Sequence, residues 1–170
     1  HGYGKRAFWK LVSLKEDAVT LSWRAPNMEG YPFDIVVTAT YSLADYGLHL
    51  NISAYNNGDA DAPWALAIHP WLANGFNGYG DEIDAHNAKC SLTVPGRTHV
   101  TVNENLIPTG TEPVDGTKYD LRKDTLLTEQ PFDDAWTDLE HAEDGTVTAV
   151  FTRPDGKKVR VGGDETVTAF

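Results

Sequence analysis

The sequence predicts an all-β chain of antiparallel strands, and three observations carry the prediction. Residues 33–43 and 48–55 alternate apolar and polar side chains with a period of two, the signature of half-buried strands. Clusters of Gly, Pro, Asn and Asp at 26–30, 44–47, 56–59 and 153–156 cut the chain into short runs. No segment shows a persuasive amphipathic helical period, and there is no internal repeat or low-complexity tract. Short strands with frequent turns and no alternating helices define an antiparallel sandwich or barrel.

Taken in order, residues 7–14 and 18–25 read as strands. In the second, Val19, Leu21 and Trp23 share one face and Thr20, Ser22 and Arg24 the other. Phe33, Ile35, Val37, Ala39, Tyr41 and Leu43 then line one face of a long run. After Ala44-Asp45-Tyr46-Gly47, the residues Leu48, Leu50, Ile52 and Ala54 line a second run. Two such runs across a short Gly-containing loop predict a β-hairpin. Residues 63–72 predict an apolar strand ended by Pro70, and 73–82, with three glycines, an open loop. Strands are expected again at 86–93 and 98–102, whereas 103–130 lack periodicity and read as a long functional or disordered connection. Residues 131–138, 146–152 and 157–161 read as strands, and Thr166–Phe170 starts another.

At 170 residues the chain is long enough for one domain, residues 1–170, with a real core. Its formal net charge of −11 argues against nucleic acid or an anionic membrane as partner, because phosphate binding needs clustered Lys and Arg. The single cysteine, Cys90, excludes an internal disulfide and Cys₂His₂-type zinc sites. It lies in an alternating run and is expected to be a small buried residue. No apolar run approaches the length of a membrane span, and no leader pattern opens the chain. These features point to the cytoplasm. The chain begins at His1 without Met and stops at Phe170 within a strand-like run, so a piece truncated at both ends is expected.

The chemistry centres on Pro63-Trp64-Ala65-Leu66-Ala67-Ile68-His69-Pro70-Trp71-Leu72. His69 is flanked by indole rings, which suit an oriented imidazole and the apolar face of a sugar ring. The six histidines, His1, His49, His69, His86, His99 and His141, fall on separate elements without metal-ligand spacing, so no metal is expected. No Gly-rich phosphate loop, nucleophile elbow or His-Glu-x-x-His motif is present. Asp133 and Asp134 are adjacent, and on extended backbone their side chains face opposite ways, so at most one of them joins a given site. Histidines, a carboxylate and aromatic rings on an all-β chain suit proton transfer to and from a polyol.

Five pieces of the chain, in order, carry a resemblance. They are His1-Gly2-Tyr3-Gly4-Lys5-Arg6 with Trp9, Gly30-Tyr31-Pro32-Phe33 with its hairpin, and the 63–72 stretch ending in His-Pro-aromatic. The other two are Asn103-Glu104-Asn105-Leu106-Ile107-Pro108-Thr109-Gly110 and Phe132-Asp133-Asp134-Ala135-Trp136. Together they resemble the aldose 1-epimerases (galactose mutarotases), over almost the whole chain. The resemblance implies a large antiparallel β-sandwich, incomplete here at both termini, and interconversion of the α and β anomers of free aldohexoses such as glucose or galactose. No cofactor is implied, and the partner is a small-molecule sugar.

The resemblance also implies roles. His69 matches the general acid on the ring oxygen, and His1 the histidine that orients the sugar. Asp133, rather than Asp134, matches the aspartate that binds sugar hydroxyls, and Arg6 and Trp71 in the matching segments are further candidates for binding substrate. The family's general base is a glutamate near the C-terminus, and no residue of this chain matches it. The 170 residues alone are therefore expected to turn over little. Asn103 stands where the family has an aspartate. Two alternatives remain open. A hexose-6-phosphate 1-epimerase would need Arg6, Arg97 or Arg122 at its pocket, and a non-catalytic carbohydrate-binding homologue would keep only the cleft.

Overall fold

A computed structural model describes residues 2–128 and 132–170. The chain divides into two compact units, one ending at Ile68 and one beginning at His69. In the first, Lys10–Leu14 (β1), Ala18–Ala25 (β2), Ile35–Ala44 (β3) and Gly47–Asn56 (β4) form an antiparallel sheet in the order β1-β2-β3-β4. The hairpin expected from the alternating runs is the β3–β4 pair, in register from Ile35↔Asn56 to Ala44↔Gly47. Its loop is the two residues Asp45 and Tyr46, and Gly47 follows with φ 128°, a conformation that glycine adopts without steric cost. Ile35, Val37 and Ala25 bury one face against Trp9, Trp23, Tyr31, Phe33 and Ile52. That face is the apolar set read from the period of two. β1 starts only at Lys10, because Tyr3–Arg6 form a 3₁₀ turn.

The strand expected over 63–72 is not formed. These residues belong to no sheet; Trp64, Leu66 and Ile68 are about half exposed and Trp71 is 91% exposed. Alternation reports which side chains share a face, whereas a strand also requires a backbone partner, and no described strand supplies one. Pro63 and Pro70 remove N–H donors near both ends of the stretch.

The second unit opens with a helix, Asp81–Asn87 (α1), where loop and strand were expected. At seven residues it is too short for a helical period to register. Ser91–Thr93 (β5), Thr125–Leu126 (β8), Val147–Thr152 (β10) and Lys158–Gly163 (β11) make a sheet in the order β11-β10-β5-β8. Gly96–Val102 (β6), Pro108–Pro113 (β7) and Trp136–Leu139 (β9) make a second, in the order β7-β6-β9. The stretch 103–130 therefore holds β7 and β8. Two prolines and a glycine hide β7 from its side-chain pattern, and a proline-bearing strand is tolerated at a sheet edge. The strand expected at 166–170 is not formed, although Phe170 exchanges both backbone hydrogen bonds with Trp136, at 2.8 and 3.1 Å, and of the strand expected at 131–138 only Trp136–Leu139 forms among the described residues.

Val94, Val114, Leu121, Trp136 and Ala149 form the core of this unit, with Leu92, Tyr119, Phe132 and Phe170 packed around them. Burying each large aliphatic side chain contributes about 1.5–3 kcal/mol. Cys90 is buried, as its alternating context implied, and burial pushes its thiol pKa up. Among the described residues no helix is long and apolar enough to cross a membrane.

Gly96 marks the tightest approach within this unit's second sheet. A Cβ there would stand 2.6 Å from the Cβ of Trp136 on the paired strand β9. Gly96→Ala is expected to force β6 and β9 apart and cost about 1–3 kcal/mol. A lowered urea midpoint with an unchanged slope checks it.

Candidate functional site

In the first unit, the 3₁₀ turn and the start of the chain wall a cleft of about 510 Å³. Its lining includes Tyr3, Arg6, Trp23, Pro26 and Met28. The turn is pinned by Trp9, whose Nε1 donates to the Gly4 carbonyl at 3.1 Å and whose ring lies 5.9 Å from that of Trp23. Tyr3 packs against Tyr31 at 5.7 Å, and the Tyr31 hydroxyl donates to the Pro63 carbonyl at 2.8 Å. Arg6 is exposed and has no carboxylate partner among the described residues. A guanidinium in a cleft also lined by an indole and a phenol ring offers hydroxyl-binding donors beside apolar surface. His1, the other site residue expected in this segment, lies outside the described residues.

His69 and Trp71 sit together at the start of the second unit, exposed, with ring centroids 6.1 Å apart. His69 makes no hydrogen bond among the described residues. Asp133 is likewise exposed and without a hydrogen bond among the described residues. No direct contact joins His69 to Asp133 among those residues.

Asp134 behaves differently from its neighbour. Its Oδ1 lies 2.8 Å from Nε2 of His99, whose Nδ1 lies 3.0 Å from Oε1 of Glu112. His99 is buried at 4% exposure, and its ring stacks on Tyr119 at 3.6 Å. Among the described residues Asp134 is thus engaged by His99, whereas Asp133 is exposed and without a hydrogen bond. His99 and Glu112 were missed by the sequence reading. They stand opposite each other across β6 and β7, a register hidden by the irregular pattern of β7.

Two of the three arginines considered for phosphate are committed elsewhere. Arg97 pairs with Glu140 at 2.8 Å, and Arg122 with Asp115 and Asp120 at 2.7 Å each. The Arg122 side-chain hydrogen bond is the main reason that the Asp120 carboxyl is held down at about 2. In the first unit, hydrogen bonds from Arg24 and then Asn57 likewise hold Asp34 at about 2. A carboxyl whose pKa is lowered by folding stabilises fully above its unfolded value, and that contribution is lost as pH falls through its folded value. Stability is therefore expected to fall between about pH 4 and pH 2. Asp34→Asn and Asp120→Asn should each flatten that slope, modestly because solvent screens such pairs. Urea midpoints measured across the interval check this.

Comparison with known proteins bears on the whole chain. A family model described as aldose 1-epimerase matches residues 1–169. Galactose mutarotase of Rattus norvegicus is 33% identical over 132 residues, which is 75% of this chain and 36% of that protein. Galactose mutarotase of Homo sapiens is 34% identical over 135 residues, again 75% and 36%. The crystal structure of an Escherichia coli K12 protein provisionally designated an aldose 1-epimerase superposes with a TM-score of 0.65 at 14% identity. The match covers 91% of this chain and 46% of that one, and it shows a shared fold. The chain spans about a third of the length of these mutarotases.

Proposed function

Because the chain belongs to the aldose 1-epimerase family, we propose that it supplies the acid side of a site that interconverts the anomers of a free aldohexose. The observation that carries the reading is His69, exposed beside the Trp71 ring with neither nitrogen engaged by the protein among the described residues. An imidazole free of internal partners can give its proton to a substrate atom and take it back.

His69 protonates the ring oxygen while a base removes the proton of the anomeric hydroxyl. The C1–O5 bond breaks, its electron pair goes to the ring oxygen, and C1 becomes an aldehyde. Rotation about C1–C2 presents the other carbonyl face. Reclosure returns the proton to His69 and yields the opposite anomer. Two protons move, no electrons are exchanged with a second molecule, and the base is assigned to no residue of this chain. Trp71 offers its ring to the apolar sugar face, Asp133 accepts hydroxyl protons, and Arg6 and His1 donate to or orient hydroxyls.

Polarimetry on freshly dissolved α-D-glucose and α-D-galactose tests the proposal at high protein concentration, where acid catalysis without a matched base is measurable. Relaxation faster than buffer supports it. Unchanged relaxation with both sugars, together with no tryptophan fluorescence response to either, rejects it.

A further inference from the structure

The Glu112–His99–Asp134 array is used by none of these steps, yet it lies one residue from Asp133. We infer that His99 is a positioning residue, acting through Asp134 to set the direction in which Asp133 presents its carboxylate to the sugar. The inference rests on the reading of Asp133 as a sugar-binding residue.

The geometry is that of a clamp rather than a packed core histidine. Each ring nitrogen meets a carboxylate oxygen, Glu112 at 3.0 Å and Asp134 at 2.8 Å. A ring nitrogen that carries its hydrogen donates to the carboxylate oxygen beside it, and the Nε2–H tautomer donates to Asp134. Charge-assisted bonds of this kind are stronger than neutral ones. The ring is hemmed in: it is 4% exposed, Tyr119 stacks on it at 3.6 Å and 10°, and the Trp136 ring lies 6.2 Å away.

The backbone is tied at the same level. His99 stands opposite Trp136 on β9 and Glu112 on β7, and the Val100 N–H donates to the Ala135 carbonyl at 2.9 Å. Ala135 is thus tied to β6 through its backbone and Asp134 through its side chain, which fixes the chain on the C-terminal side of Asp133. Asp133 is exposed. Without the clamp, the Asp134 carboxylate loses its tie to His99, and the backbone that carries Asp133 loses a fixed point beside it.

Affinity for D-galactose, measured by titration of the whole chain, tests the inference in four variants and one pair. Asp133→Asn weakens binding if the sugar reading holds. His99→Gln and Asp134→Ala are expected to weaken it about tenfold, the low end for residues that orient a ligand-binding group. Asp134→Asn keeps an oxygen for the Nε2–H and should restore most of the loss, which mere packing would not predict. Adding His99→Gln to Asp133→Asn should cost nothing further, since both act through one carboxylate. Should His99→Gln fail to fold, the Asp134→Ala and Asp134→Asn comparison stands in its place. Loss in Asp133→Asn with none in His99→Gln, or fully additive losses, overturns the positioning inference alone. No loss in either overturns the sugar role of Asp133 and the inference built on it. A sugar-free readout separates these cases: ¹⁵N spectra of the His99 ring should show a hydrogen on Nε2, the nitrogen beside Asp134, and a bare Nε2 overturns the clamp.

Discussion

Replacing Trp136 with alanine is expected to remove about 3–5 kcal/mol of stability, the range for deleting a large buried aromatic. A small domain has only about 5–15 kcal/mol in total, so the second unit would be brought close to unfolding. The size of the effect follows from how many things one residue does. Its side chain is 4% exposed within the core of Val94, Val114, Leu121 and Ala149. Its indole N–H donates to the Tyr119 carbonyl at 2.8 Å, and its ring meets that of Phe132 edge-on at 5.7 Å. Truncation leaves a cavity and an unsatisfied carbonyl together. Trp136→Phe should cost less, because most of the volume stays and the lost hydrogen bond contributes about 1 kcal/mol. Urea unfolding of the three proteins decides it; a loss below 1 kcal/mol for the alanine variant would mean that the site collapses onto itself.

His69→Gln should abolish the protein-dependent part of the mutarotation rate, which without a matched base rests on this one positioned proton donor. Glutamine is close in size and still donates a hydrogen bond, but it cannot release a proton near neutral pH. Sugar affinity should therefore change little while the rate falls to that of buffer. Polarimetry for the rate and fluorescence titration for affinity separate the two effects. A variant that keeps its rate removes His69 from the acid role, and one that loses affinity as strongly as rate makes it a binding residue instead.

What could be read in advance follows a physical divide. The β3–β4 hairpin was legible because Ile35, Val37 and Ala39 bury one face of a sheet that lies wholly inside the chain. The 63–72 stretch has an equally clear pattern and was misread, since a pattern carries no information about whether a pairing strand exists. β7 was invisible for the opposite reason: Pro108, Gly110 and Pro113 form a strand through backbone pairing that their side chains do not announce. The site divides in the same way. Alternation allowed only one of Asp133 and Asp134 to join a given site, and the preference for Asp133 came from the family resemblance alone. The Glu112–His99–Asp134 array spans 13 and 35 residues, and only the register of three strands brings it together.

The bare 63–71 backbone has a kinetic consequence. Proteases bind substrates as extended chain and are stopped by hydrogen-bonded strands and packed faces. Here a run outside every described sheet exposes Trp64, Leu66 and Trp71, side chains that aromatic- and leucine-preferring proteases seat, and the division between the two units falls inside it, after Ile68. The survival of this chain in a cell extract is then governed by how often these few residues are covered, rather than by the free energy of unfolding either sheet system.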